Sequence, residues 1–128
     1  GVRGAIEKIH QDIQPFLKDK SVFNQEEIDK GMIDLDSTPN KSRFGANAIL
    51  AVSMACAKAG ALFQNQTLYH YLNGLLGSPD MVMPMPMMNI LNGGAHADNN
   101  IDVQEFMVVP VGANSFSEAM QIGVEIYH

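Results

Sequence analysis

Met83-Pro84-Met85-Pro86-Met87-Met88-Asn89-Ile90-Leu91-Asn92-Gly93-Gly94-Ala95-His96-Ala97-Asp98-Asn99-Asn100 is the stretch on which the fold turns. Upstream of it, apolar residues recur at helical spacing. Downstream, they come in short runs. Pro79, Pro84 and Pro86 end the helical pattern, because proline lacks an N–H and pushes the residue before it toward extended backbone. A domain boundary is expected near Ser78 to Met83, giving segments 1–80 and 81–128. Met87 to Leu91 suits a short buried strand and Val103 to Val111 a second. The polar loop Asn92 to Asp102 between them has eleven residues, where hairpin loops usually have about two to five.

Working upstream, four helices are expected. Val2, Ile6, Ile9, Ile13 and Phe16 form one 3.6-period stripe, with the helix running from Val2 to Gln14 and stopping near Pro15. Asn24, with Glu27 three residues on, should cap a second helix that buries Ile28, Met32 and Leu35. Asp36 to Asn40 reads as a turn. Ala46 to Gln64 is apolar nearly all round and rich in alanine, so it should be buried on several sides. Thr67 should cap a fourth helix that turns Leu68, Tyr71, Leu72 and Leu75 inward and closes at Gly77. Downstream, Ser115 and Glu118 form a capping box for a helix with Ala119, Ile122, Gly123 and Ile126 on one side.

Composition narrows the function classes. An apolar share of 46% and a charged share of 17% argue against disorder. The net charge is −6 and there is no basic block, which disfavours nucleic acid and anionic membrane surfaces. A single cysteine, Cys56, excludes an internal disulfide and a multi-cysteine zinc site, and fits a reducing cytoplasm. No run is expected to span a bilayer; Phe44 to Phe63 comes closest but carries Asn47, Ser53 and Lys58. The chain starts at Gly1 on residues that already read as helix interior. It ends at His128 without a helix stop signal, so an internal piece of a longer protein is expected.

The candidate functional residues sit in and after the long loop. Gly93 and Gly94 permit backbone shapes closed to other residues, and His96 could meet an anion or move a proton near neutral pH. Gln104 and Glu105 interrupt an apolar strand, and a carboxylate buried at a strand end is a functional candidate. Adjacent strand residues point to opposite faces, so both reach one site only if a bulge or twist starts the strand. Asp98-x-Asn100-x-Asp102 imitates the start of a calcium loop but lacks its glycine and closing glutamate. Glycine-rich phosphate loops and nucleophile elbows are absent from the sequence.

Taken together, Asn40-Lys41-Ser42-Arg43-Phe44-Gly45-Ala46-Asn47-Ala48-Ile49-Leu50, Pro86 to Gly94, His96 to Asn100, Gln104-Glu105-Phe106-Met107 and Pro110-Val111-Gly112-Ala113 resemble the enolase family, phosphopyruvate hydratases. The resemblance runs along essentially the whole chain, and the His-Ala-Asp-Asn-Asn loop is nearer bacterial than animal versions. It implies an α/β protein in which a small α+β domain precedes a β/α barrel. This chain would hold the helical part of the first, the linker, and two barrel strands with a helix. It implies reversible dehydration of 2-phosphoglycerate to phosphoenolpyruvate with Mg2+ in a cytoplasmic homodimer or larger homo-oligomer. Gly93, Gly94, Ala95 and His96 would form a mobile loop. His96, Gln104 and Glu105 would meet substrate, and Glu105 would be an auxiliary acid/base. The metal carboxylates, base lysine and principal acid have no counterpart among these residues, so no metal ligand is expected here and the isolated piece is expected to be inactive. The alternative is a noncatalytic helical interaction module with an enolase-like sequence.

Overall fold

The computed structural model describes residues 2–128. Two compact units divide between Pro79 and Asp80. The first is all helical: α1 (Arg3–Lys8), a π-helical segment (Ile9–Ile13), α2 (Gln14–Leu17), α3 (Gln25–Asp36), α4 (Ala46–Phe63) and α5 (Leu68–Leu75). The second holds β1 (Met88–Asn92), a 3-10 turn (Gly94–His96), β2 (Glu105–Val108) and α6 (Phe116–Tyr127).

The opening helix runs through Pro15 rather than stopping before it. The chain widens into a π-turn, where the Gln14 amide donates to the Ile9 carbonyl five residues back. That wide turn admits a proline ring that would press on the preceding carbonyls of a regular helix. Only the central part of the expected stripe is covered: Ile13 is fully buried, Ile9 and Phe16 pack beside it, and Val2 and Ile6 are exposed. With Ile28, Met32, Phe44, Ala48, Ile49 and Val52, Ile13 forms the main core. Gly31 lets α3 approach this layer, since a Cβ there would strike the Phe16 ring.

Two caps differ from expectation. Asn24 sits at the start of α3, but its side-chain amide donates to the Glu27 carboxylate (3.2 Å) rather than capping a backbone N–H. Glu27 in turn pairs with Lys20 at 2.6 Å. Thr67 likewise spends its hydroxyl on His70 Nδ1, 3.0 Å away. In both, a bond to a nearby side chain orients the capping residue without a side-chain bond to the backbone N–H groups.

Asp36 is more than a turn residue. It is fully buried at the end of α3, and its carboxylate accepts from the Phe44 N–H (2.7 Å), the Thr38 N–H (3.1 Å) and the Thr38 hydroxyl. Arg43 reinforces the same corner, donating to the Leu35 carbonyl (2.9 Å) and to Asp12 (2.7 Å). Burial pushes the Asp36 pKa up. The hydrogen bonds from Thr38 and Phe44, with the Arg43 charge, outweigh it and hold the carboxyl below its ordinary range.

α4 packs against α1, α3 and α5 through Ala48, Ile49, Val52, Ala57, Gly60 and Ala61, while Leu50, Met54, Leu62 and Phe63 are exposed. By length and composition Ala46–Phe63 is long and apolar enough to cross a membrane, contrary to the expectation from sequence. Alanine raises its hydropathy without bulk, and the alanines with Gly60 let α3 and α5 pack closely. Leu72 and Leu75 are also exposed, leaving Tyr71 as the buried residue of α5.

In the second unit β1 and β2 pair antiparallel, with Met88 opposite Val108 and Asn92 opposite Glu105. The strands are shorter and shifted relative to the expected Met87–Leu91 and Val103–Val111. Ile90 is the extra residue of a bulge on β1, so the irregularity lies on the strand opposite Gln104 and Glu105. α6 begins with half of the expected capping box: Ser115 Oγ accepts the Glu118 N–H at 3.1 Å. The Glu118 carboxylate reaches one residue further back, to the Asn114 N–H at 2.7 Å. Gly123 lets α6 lie against Met88.

Candidate functional site

The antiparallel pairing decides where the candidate residues meet. β1 finishes at Asn92 and β2 starts at Glu105 directly opposite, so the loop leaving one strand and the first residue of the next share one end of the hairpin. Residues 93–104 fold back over that end. The Gly93 N–H donates to the Gln104 carbonyl (2.8 Å) and the Gly94 N–H to the Ile101 carbonyl (2.6 Å).

The two glycines act differently. Gly94 has φ +58°, a region that favours glycine. Gly93 is extended, at φ −149°, yet a Cβ there would lie 2.7 Å from the Ile101 carbonyl oxygen and closer still to that of Val103. Its lack of a side chain is required by the close approach of the returning chain. Asn99 braces the same loop: its side-chain amide donates to the Asn92 carbonyl (3.0 Å), and its side-chain oxygen accepts the Ile101 N–H (3.0 Å). Sequence reading did not single out Asn99, although asparagine's habit of bonding the backbone two residues on was the available signal.

Within this frame the Gln104 side-chain amide and His96 Nε2 form a hydrogen bond. With the amide donating, Nε2 is the accepting nitrogen and Nδ1 carries the ring proton. Gln104 precedes β2 and escapes strict strand alternation, which is how it can turn to His96 while Glu105 begins the ladder. Glu105 is exposed, correcting the expectation of a buried carboxylate: in this chain no element covers its side of the two-stranded sheet. His96, Gln104 and Glu105 are thus gathered at one solvent-open end. Cys56 lies apart, in the helical unit. Burial, then the negative charge of Asp29, pushes its thiol pKa up, which disfavours the reactive thiolate.

Charge is divided unevenly along the chain. Residues 1–79 hold eight basic and eight acidic side chains; residues 80–128 hold six acidic ones and neither lysine nor arginine. Among the described residues, no three His, Cys, Asp or Glu side chains converge as metal ligands.

Comparison with known families supplies the context. Residues 1–72 match the model of the enolase N-terminal domain, and residues 80–128 match that of the enolase C-terminal TIM barrel domain. The chain belongs to the enolase family. Its mixture of helices and a two-stranded sheet is that of an α/β fragment drawn from both enolase domains. Enolases generally use Mg2+, and the residues described here do not assemble a site that fits the ion.

Proposed function

We propose that this chain is the part of a cytoplasmic phosphopyruvate hydratase that supplies the gate loop and one wall of the site for reversible dehydration of 2-phosphoglycerate to phosphoenolpyruvate. Residues 1–80 belong to the helical part of the first domain and 81–128 to the start of the barrel, within a homodimeric or larger parent. The observation that carries this reading is the His96–Gln104 hydrogen bond at the end of the hairpin where β1 finishes and Glu105 begins β2. Barrel enzymes place their chemistry at the ends where strands finish, and β2 contributes from its start because it runs antiparallel to β1.

The roles follow from chemistry. His96, on the loop, offers a ring nitrogen to an anionic group of the substrate. Gln104 positions that ring. Glu105, with an unburied carboxylate, accepts or returns a proton through a water, as an auxiliary acid/base. What residues 80–128 do not supply is a lysine or arginine, although both substrate and product are anions. Electrostatic stabilisation of the carbanion-like intermediate, the task of Mg2+ and of the base lysine in this reaction, falls to groups outside these 128 residues.

The test uses the intact enzyme encoded by the complete reading frame. Glu105→Gln should lower kcat by about 10²–10⁴-fold with little change in KM, as expected for a lost proton-transfer group. The 128-residue chain alone should form no phosphoenolpyruvate in Mg2+. Full activity in the Glu105→Gln enzyme, or turnover by the isolated chain, would refute the assignment.

A further inference from the structure

The hydrogen bonds that hold residues 93–104 join them to one another or to Asn92, so the arrangement is complete within this hairpin. His96 is held at two points: its backbone N–H donates to the Gly93 carbonyl (3.2 Å), and its ring Nε2 accepts from the Gln104 amide. Beyond it, none of Ala97 to Asn100 is buried. This far side of the tip is tied back through Asn99. Asn99 Nδ2 donates to the carbonyl of Asn92, the last residue of β1 (3.0 Å), and Asn99 Oδ1 accepts the Ile101 N–H (3.0 Å). The Ile101 carbonyl in turn accepts the Gly94 N–H (2.6 Å). One side chain thus spans the limb that leaves β1 and the limb that returns to Gln104.

The two halves of the Asn99 amide act differently. The Oδ1 bond reaches two residues along the chain and makes an ordinary local turn. The Nδ2 bond reaches back seven residues and fixes the tip to the strand. With Nε2 of His96 accepting from Gln104, the Nδ1–H is the donor that remains for an anionic oxygen. We infer that Asn99 is a positioning residue of the proposed site: its Nδ2 bond to the Asn92 carbonyl holds residues 95–100 so that the His96 ring stays in its Nδ1-protonated form against Gln104 before substrate arrives. The consequence for catalysis rests on the reading of His96 as the group that meets the anionic substrate; the positioning itself does not. Without this bond, substrate binding has to order the tip, and affinity falls by that cost. The proton-transfer step is untouched, so KM rises while kcat holds.

The test uses the intact enzyme encoded by the complete reading frame. Asn99→Ala should raise KM for 2-phosphoglycerate by about 3- to 10-fold, the size of one net hydrogen bond, at unchanged kcat. Asn99→Asp keeps the acceptor for the Ile101 N–H and loses the donor to Asn92. Asn100→Asp places the same charge on the neighbouring exposed residue and measures its repulsion of substrate alone, so the KM of Asn99→Asp should exceed that of Asn100→Asp by at least about threefold. Asn99 is exposed, and circular dichroism confirms that each variant is folded. A second readout needs no turnover: nitrogen-15 resonances of the His96 ring, taken at about pH 8, where an ordinary imidazole is neutral. The parent enzyme should show the Nδ1-protonated form, and Asn99→Ala should shift the ring toward the Nε2-protonated form. Parental KM in Asn99→Ala, an Asn99→Asp enzyme no worse than Asn100→Asp, a fall in kcat with KM unmoved, or an unchanged ring in Asn99→Ala would each overturn the inference. An intact parent that does not dehydrate 2-phosphoglycerate would refute the proposed function instead, and the ring resonances would then decide the role of Asn99 by themselves.

Discussion

Asp36 shows how much one side chain can organise. The sequence suggests a turn at Asp36-Ser37-Thr38-Pro39-Asn40. The structure makes the carboxylate the buried anchor for both sides of that turn, bonded to Thr38 and to the Phe44 N–H eight residues on. Its folded-state pKa is depressed, so the stability it contributes is present above the unfolded value of about 3.9 and is lost as pH falls through the folded value. Urea unfolding of the helical unit, followed by circular dichroism, should therefore weaken below about pH 4, and Asp36→Asn should flatten that acid limb. An acid limb identical in the two proteins would remove Asp36 from this role. Gly93 makes a second prediction. Gly93→Ala should cost about 1–3 kcal/mol by forcing the returning chain away, and the Gly93 and Gly94 amides should lose hydrogen-exchange protection relative to the parent chain. Neither Asp36 nor Gly93 could be assigned from its neighbours, because each is defined by contacts with chain several residues distant.

At the scale of elements, helical periodicity located α1, α3, α4, α5 and α6 but not which of their apolar residues are covered. Ile13 and Leu50 illustrate the gap: both are aliphatic and both lie on apolar helical segments, yet Ile13 is fully buried and Leu50 is mostly exposed. Ile13→Ala should destabilise the helical unit by about 3 kcal/mol, whereas Leu50→Ala should change it by no more than about 0.5 kcal/mol. Equal effects in urea titrations would show that the π-helical segment Ile9–Ile13 does not pack as described. Pro15 sets a different limit on pattern reading. A proline inside a helical stripe ordinarily marks an end, and only the π-turn between Ile9 and Ile13 explains why the helix goes on. In the second unit the two strands were legible as apolar runs, but their direction was not. The twelve residues from Gly93 to Gln104 are enough for more than one connection, and the antiparallel pairing that brings Glu105 beside Asn92 rests on hydrogen bonds no local pattern encodes.

Across the whole molecule, two features govern behaviour in solution. The two-stranded sheet leaves strand edges open, which invites pairing with other chains. Large apolar side chains, among them Leu62, Phe63, Leu76 and Val82, stand in solvent, and such surfaces promote association. The purified chain is expected to be loosely packed or to aggregate: its apparent thermal midpoint should depend on concentration, and its apparent size in sedimentation should exceed that of a 14.0 kDa monomer. A sharp transition at the same temperature over a hundredfold dilution would contradict this. The separation of charge, neutral over residues 1–79 and −6 over residues 80–128, also means that raised salt should favour association of the second unit by screening its self-repulsion.

What the sequence alone determined is what depends on local order: helix periodicity, the proline break, the long glycine-bearing loop, and the residue strings that carry the enolase resemblance. Spacing along the chain is enough to set these, since helix faces and turn preferences arise from neighbours a few residues apart. The tertiary structure alone decided that Asp36 is buried and satisfied, that Pro15 lies within a helix, that the strands run antiparallel, and that Gln104 turns to His96 while Glu105 stays in solvent. Each of these depends on residues distant in sequence competing for the same space or the same hydrogen bond, and such competition is resolved only when the chain is folded.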